Sequence, residues 1–570
     1  MTRPGRIFRL LAAASLVASA CAPAPDLTPS PATASATPSG SAAPVPSEIP
    51  FAPSAWPVAG SACERAGYRG LVGRIEAVDA RTVRFTLCGA DGAFRTALAD
   101  PALAVLDTAA VRQLAMDPGA GRSLAGTGPF RIDRWDAGGV ILSATDTTAA
   151  VSRTPTVVLR WAEDPAARAR ELQAASVDGI DAPDAASLEA IATQPELAVT
   201  PRPGLATAYL AFGTGRAFAD IRVRRAIAGS IDRAALVTVA FPAGSVVPTH
   251  LAPCAIPGAC TGDPWYAFNG PAAAASLAAA GFNLKATYPL HVPDAPEPGL
   301  PDPTGVAAAI QAQLQENVGL QVAIDVMPRE AFDAALAAGT LDGLYLAGVA
   351  SSLADPAAFL AQLLGPGLTS SPVTRAPGAA GALAAALAAT GTTAREAAVQ
   401  QVNDAVRSSV PLVPLANPGS VVAFRSDVTG VVASPIGIDP LGAFMPGDRR
   451  QLVFMQASEP AGAYCGDQES ADALRLCALV TEGLYGFSPG GLAVEPRLAE
   501  ACTPSADATV WTCRLRADTR FQDGARLDAG DVLTSFVAQW DASQPLRASR
   551  PQASFTAWDR LFGGSLGTTP

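Results

Sequence analysis

Nine cysteines and two histidines, His250 and His291, are the side chains with the widest chemical reach in this chain of 570 residues. Thiolates that hold a metal come in close groups such as C-x-x-C, and no such group occurs. Two histidines without a signature offer no multi-histidine centre. Neither a metal nor any other cofactor is expected. One serine carries a nucleophile's pattern: Gly563-Gly564-Ser565-Leu566-Gly567 fits G-x-S-x-G. That pattern works only when a buried strand precedes the serine and a helix follows it. Here it stops three residues before the end of the sequence, so it is read as coincidence and no catalytic residue is expected. GTGPF (126–130) lacks the lysine and spacing of a phosphate-binding loop.

The cysteines make sense once the N-terminus is read. Arg3, Arg6 and Arg9 form a basic start, and residues 10–20 (LLAAASLVASA) are apolar but too short to span a bilayer. Ala18-Ser19-Ala20 then precede Cys21. This junction is open to two readings. It is a small-x-small site for ordinary signal cleavage, and it also resembles a bacterial lipobox with alanine where leucine is commoner. Without Cys21, eight cysteines remain as sequence neighbours. An even set in an exported chain points to disulfides: Cys63–Cys88, Cys254–Cys260, Cys465–Cys477 and Cys502–Cys513, all structural. Cys21 is left as the odd thiol, which favours its lipidation over a spare cysteine in a secreted protein. Residues 1–20 are thus expected as signal peptide and 21–57 as a lipid-anchored linker. Nine prolines and only two charges, Asp26 and Glu48, lie between 22 and 53, a composition that stays extended and buries no core.

Beyond that linker the composition allows large cores. Apolar residues make up 49%, charged residues 16%, and 40 basic against 51 acidic side chains give −11. A nucleic-acid binder needs a basic face, and none is visible. No later window reaches the roughly 18 apolar residues of a membrane span.

The periodicities are those of an α/β protein. Val83, Phe85 and Leu87 alternate with polar residues as in a half-buried strand, and Trp511, Cys513 and Leu515 repeat the pattern. Val223, Ile227 and Ile231 share one helix face in 220–240. Asp528 is placed to cap a helix whose stripe is Val532, Phe536 and Trp540. The stretch 284–350 reads strand–helix–strand–helix–strand: the first helix buries Val306, Ile310 and Leu314 and stops at Gly319, and the next strand alternates Leu320, Val322, Ile324 and Val326. That order predicts a parallel sheet with its ligand at the strands' carboxyl ends. The alanine-dense 378–398 reads as helix.

Several segments resemble one family. GTGPFRIDRWDAGG (126–139), AFADIRVRRAIAGSIDRAALV (217–237), GPAAAASLAAAGF (270–282) and PLVPLANPGSVVAFRSDVTG (411–430) are similar to motifs of the bacterial extracellular solute-binding proteins, family 5, which serve oligopeptide, dipeptide and nickel ABC importers. EGLYGFSPGGLAVEPRLAEAC (482–502) and LRADTRFQDGARLDAGDVLTSF (515–536) resemble motifs that lie near the family's mature N-terminus, yet here they come last. The usual start, 449–460, follows the usual end, 428–448, directly. Each family segment occurs once, which favours circular permutation over two fused partial copies. New termini fall between 567 and about 63, where a surface break is tolerated.

The resemblance implies a fold and a function. The expected fold is α/β, two-lobed and periplasmic-binding-protein-like (type II, large cluster with an extra subdomain), circularly permuted. Lobe I is 58–205 together with 411–570, and lobe II is 206–410, with hinge candidates at 209–213 and 411–415. A monomeric receptor would take a peptide or small-molecule ligand between its lobes and present it to ABC importer permease subunits, touching the membrane through its lipid anchor alone. It would reside in the periplasm or on the outer face of the cell membrane. The alternative is a ligand-sensing or scaffold lipoprotein with a degenerate cleft. Peptide-binding relatives carry a Trp-x-x-Asp-x-x-acid-Pro segment whose first aspartate clamps the ligand's α-amino group. In VASSLADP (349–356), Val349 replaces that tryptophan and Ser352 that aspartate, while Asp355-Pro356 remain. Ser352, Leu353, Asp355, Tyr464, Tyr485, Phe487, Phe212 and Trp265 are the expected ligand-binding residues.

Overall fold

The computed structural model describes residues 51–145, 152–213, 215–351, 353–364, 376–548 and 555–567. Cys21, Ser352 and the signal and anchor readings lie outside them. Three large sheets organise the chain. A seven-stranded sheet and one five-stranded sheet are built from residues before 203 and after 419. The other five-stranded sheet is built from 206–416, which gives the two-lobed type II architecture.

The second lobe shows most directly how the sequence makes the fold. Thr287–Pro293 pairs in parallel with both Gln321–Met327 and Leu344–Ala350, as strand–helix alternation requires. Helix Pro303–Val318 starts where the Asp302 side chain accepts from the Gly305 amide and ends at Gly319, whose φ of 72° suits glycine. Val306, Ile310 and Leu314 are buried as one stripe. Val326 is 48% exposed despite its alternation, because Gln321–Met327 is the sheet's edge strand. The single helix expected over 220–240 is two, Ile221–Ser230 and Arg233–Ala240. Asp232 breaks it by accepting from the Ala234 and Ala235 amides as a new cap. The alanine-dense stretch likewise divides into Ala379–Ala388 and Thr392–Ser409.

In the first lobe the end of the chain completes what its beginning leaves open. Val510–Leu515 pairs antiparallel with Thr82–Leu87. Gln451–Gln456 inserts in parallel between Thr156–Trp161 and Gly179–Asp181. Helix Ala529–Trp540 carries the capping box at Asp528 and Asp531. It buries Val532, Phe536 and Trp540, the last stacked on Trp558 at 6.0 Å. All four disulfides join the expected partners, and Cys502 faces Cys513 directly across a hairpin.

The chain passes between lobes twice, at 203–205 and 417–419. Residues 209–213 and 411–415 lie just inside the second lobe instead, in strands Ala206–Phe212 and Leu412–Ala416, which pair with each other. The two crossings touch: a Cβ on Gly204 would sit 1.6 Å from the Pro418 carbonyl oxygen. Asn417 ties them together by donating to the Ala206 carbonyl and the Thr207 hydroxyl.

Candidate functional site

A cavity of about 300 Å³ opens in the first lobe, which supplies all its described lining residues; two of them, Ile436 and Phe487, also pack on the second lobe's core. Three elements form its wall. Helix Ala471–Val480 begins with Ser470 capping the Ala473 amide and carries Arg475 one turn in. The chain leaves that helix through Thr481 and Glu482 into strand Tyr485–Phe487. The segment 434–440 folds back on itself as Asp439 accepts from the Ser434 amide, and Ile436 and Asp439 line the cavity.

The deepest part of the wall is ionic. Arg475 is fully buried and binds Asp181 at 2.7 Å, Asp472 at 2.9 Å and Gln456 at 2.9 Å. Arg202 binds Asp181 at 2.9 Å and Asp439 at 2.5 Å. Burial alone would raise Asp181, but Arg475 and Arg202 outweigh it and its carboxyl is lowered. At Asp439 burial wins over the same two arginines and the carboxyl is raised. Burial also works against the Arg475 cation, and its three aspartates overcome it. Nearer the mouth, Arg497 pairs with Glu495 at 3.2 Å and donates to the Phe487 carbonyl. Burial pushes the Glu482 carboxyl up to about 7, against smaller opposing effects of Arg497, Thr127 and Arg516.

Apolar contacts join the lobes around this cavity. Leu353, from the second lobe, packs on the first lobe's core. Leu492, from the first, is buried in the second lobe's core beside Ile436 and Phe487. The Gly92 amide donates to Leu387 across the same boundary at 3.0 Å.

The structure brings together some of the sequence candidates. Tyr485 and Phe487 line the cavity, and the Tyr485 hydroxyl accepts from the Cys502 amide. Leu353 reaches the boundary, whereas the buried Asp355 is held by Arg395 and caps helix Pro356–Leu364 through the Ala358 amide. Tyr464 packs on Phe555 in the first lobe's core, Phe212 on Phe218 in the second, and Trp265 against Tyr266. These three therefore stabilise the lobes away from the cavity. Glu482, Arg475 and Asp439 lay within or near segments that resemble the family but carry no local signature of a site. His250, Cys254 and Cys260 bring ligand atoms within 4.8 Å of one another, with both sulfurs engaged in their disulfide. Ser565 follows a helix, not a strand, and donates to Asp559 at 2.6 Å. No helix among the described residues is long and apolar enough to cross a membrane.

Comparison with known proteins gives the following. The family described as bacterial extracellular solute-binding proteins, family 5 middle, matches residues 49–371 and 493–559. The peptide transport periplasmic protein SapA of Salmonella typhimurium is 28% identical over 375 residues, covering 64% of this chain and 67% of that protein. Heme-binding protein A of Haemophilus influenzae is 28% identical over 178 residues, 30% of this chain and 32% of that one. Among solved structures, HbpA2 from Haemophilus parasuis superimposes with a TM-score of 0.58 at 24% identity, covering 66% of this chain and 75% of that one.

Proposed function

Because the chain belongs to the bacterial extracellular solute-binding proteins of family 5, we propose that it is an ABC importer's receptor, which captures an oligopeptide or similar small solute between its lobes and delivers it to the permease. The observation that carries this reading is the first-lobe cavity, one of whose lining residues, Phe487, touches both cores. At about 300 Å³ it stands at the lower end of the roughly 300–1,000 Å³ typical of small-molecule pockets. The physics is population shift. A ligand that contacts both lobes gains contacts in the closed form that the open form lacks, and the paired crossings at Gly204 and Pro418 are where the lobes would pivot.

We place the receptor outside the cell membrane as a monomer, held by lipid on Cys21 through the proline-rich linker. Its segment order is read as a circular permutation. Supporting that reading, Gln451–Gln456 fills the centre of the seven-stranded sheet and Val510–Leu515 extends the sheet begun by Thr82–Leu87. SapA, named for peptide transport, favours a peptide. The altered 349–356 segment favours a second reading, a sensor that no longer transports.

Native mass spectrometry of residues 22–570 carrying Cys21→Ser, produced in an oxidising compartment, tests the receptor. A discrete excess mass that is lost on mild denaturation is expected. A ligand at 100 times its Kd should also raise stability by about 2.7 kcal/mol. Protein that carries nothing and is not stabilised by peptide, sugar or metal pools would replace the receptor with the sensor or scaffold.

A further inference from the structure

The charges on the cavity wall do not cancel. Five charged side chains line it: Asp439, Arg475, Glu482, Glu495 and Arg497. Arg497 is taken by Glu495. Arg475 and Asp439 belong to the buried network in which three aspartates already face two arginines. Glu482 is the remaining one, and it makes no ion pair within 4.0 Å among the described residues. Arg497 and Arg516 oppose the effect of its burial from a distance, and the buried Thr127 hydroxyl makes no hydrogen bond among the described residues. Arg516 spends its Nε on the Arg497 carbonyl.

An ionised carboxylate on a largely buried wall is costly unless a cation joins it. That cost is what raises the Glu482 carboxyl. Ile436, Tyr485 and Phe487 line the same cavity and give it apolar surface. A compact ammonium, which offers three donors from a single point, suits a single carboxylate.

We propose that Glu482 selects a solute bearing a positively charged amine, seated with its apolar part against Ile436, Tyr485 and Phe487. This rests on the receptor reading and gives it a substrate class. The counter-ion would then come from the first lobe, where relatives are expected to use the second-lobe position occupied here by Ser352.

The test uses residues 22–570 with Cys21→Ser, stripped of any co-purified solute. Binding is read by calorimetry and native mass spectrometry against dipeptides of alanine, leucine and phenylalanine with free amino termini, the same dipeptides N-acetylated, and 1,4-diaminobutane. Amine-bearing probes should bind about tenfold or more tightly than acetylated ones, and Glu482→Gln should lose that preference. Glu482→Asp should keep part of it, and Phe487→Ala should weaken all dipeptides alike. Thermal unfolding of Glu482→Gln at or above the wild-type temperature would exclude misfolding as the cause. Equal binding of acetylated and free dipeptides, or retention of a neutral or anionic cellular solute, overturns the proposal and leaves the receptor standing. Wild-type protein that retains no cellular solute and binds none of the probes overturns both.

Discussion

Arg202 Nη2 lies 2.5 Å from Asp439 Oδ2, in a pair that is all but sealed from solvent. Arg202 ends the strand that leads into the first interlobe crossing, and Asp439 lies on the cavity wall. The pair therefore links the first interlobe crossing to the cavity wall, and Ser420, at the start of the strand after the second crossing, accepts from the same guanidinium at 3.2 Å. Asp439→Ala leaves two buried arginines short of a counter-ion, which should cost about 3–5 kcal/mol in urea unfolding. An unchanged midpoint would mean that water or a shifted aspartate replaces the lost partner.

Leu353 should govern closure. Among the described residues it is a second-lobe side chain that packs on the first lobe's core, so Leu353→Ala removes apolar burial that exists only while the lobes meet. A loss of about 1–2 kcal/mol of closing energy is expected, corresponding to roughly five- to thirtyfold in ligand affinity. Small-angle scattering should show a larger radius of gyration. Wild-type scattering and affinity would remove Leu353 from the closing surface.

The unliganded protein should lose stability as pH rises from about 4.5 to 7. Glu482 is raised from an ordinary 4.5 to about 7, so in that window the folded state binds more protons than the unfolded one, and unfolding free energy falls with pH. Glu297, also buried and at about 7, acts with the same sign. The difference between wild type and Glu482→Gln isolates the first group: the variant's stability curve should be flatter across the window. Parallel curves would show that Glu482 is fully hydrated.

Among the disulfides, loop length sets the order. Cys63–Cys88 closes a separation of 25 residues and Cys254–Cys260 one of 6. Loop entropy gives about 3.5 and about 2 kcal/mol respectively. Paired serine variants measured by denaturant unfolding should therefore lose more at the first bridge than at the second.

Gly204→Ala should disturb the crossings. Its added methyl would meet the Pro418 carbonyl at 1.6 Å, and neither backbone can yield without moving its strand. A cost of about 1–3 kcal/mol is expected, together with weaker ligand binding than at a control such as Gly89→Ala, where nothing lies within 4 Å and φ is not positive.

Much of this protein is legible in its sequence because the signals are local. Helix caps at Asp302 and Asp528, the stop at Gly319, the period-two strands and the neighbouring cysteine pairs each depend on residues a few positions apart. The family motifs are similarly short, so the α/β fold and the solute-binding family follow from them. The site is different. Tyr485 and Phe487 were within reach of those motifs, but Glu482, Arg475 and Asp439 gain meaning only from burial and from partners up to 294 residues away. A carboxylate's charge is cheap in water and costly when buried, and only the packed first lobe decides that Glu482 meets the cavity without an ion pair among the described residues. Likewise Phe212, Trp265 and Tyr464 look no different in sequence from the aromatics that line the cavity. It is tertiary packing that turns them into the cores instead.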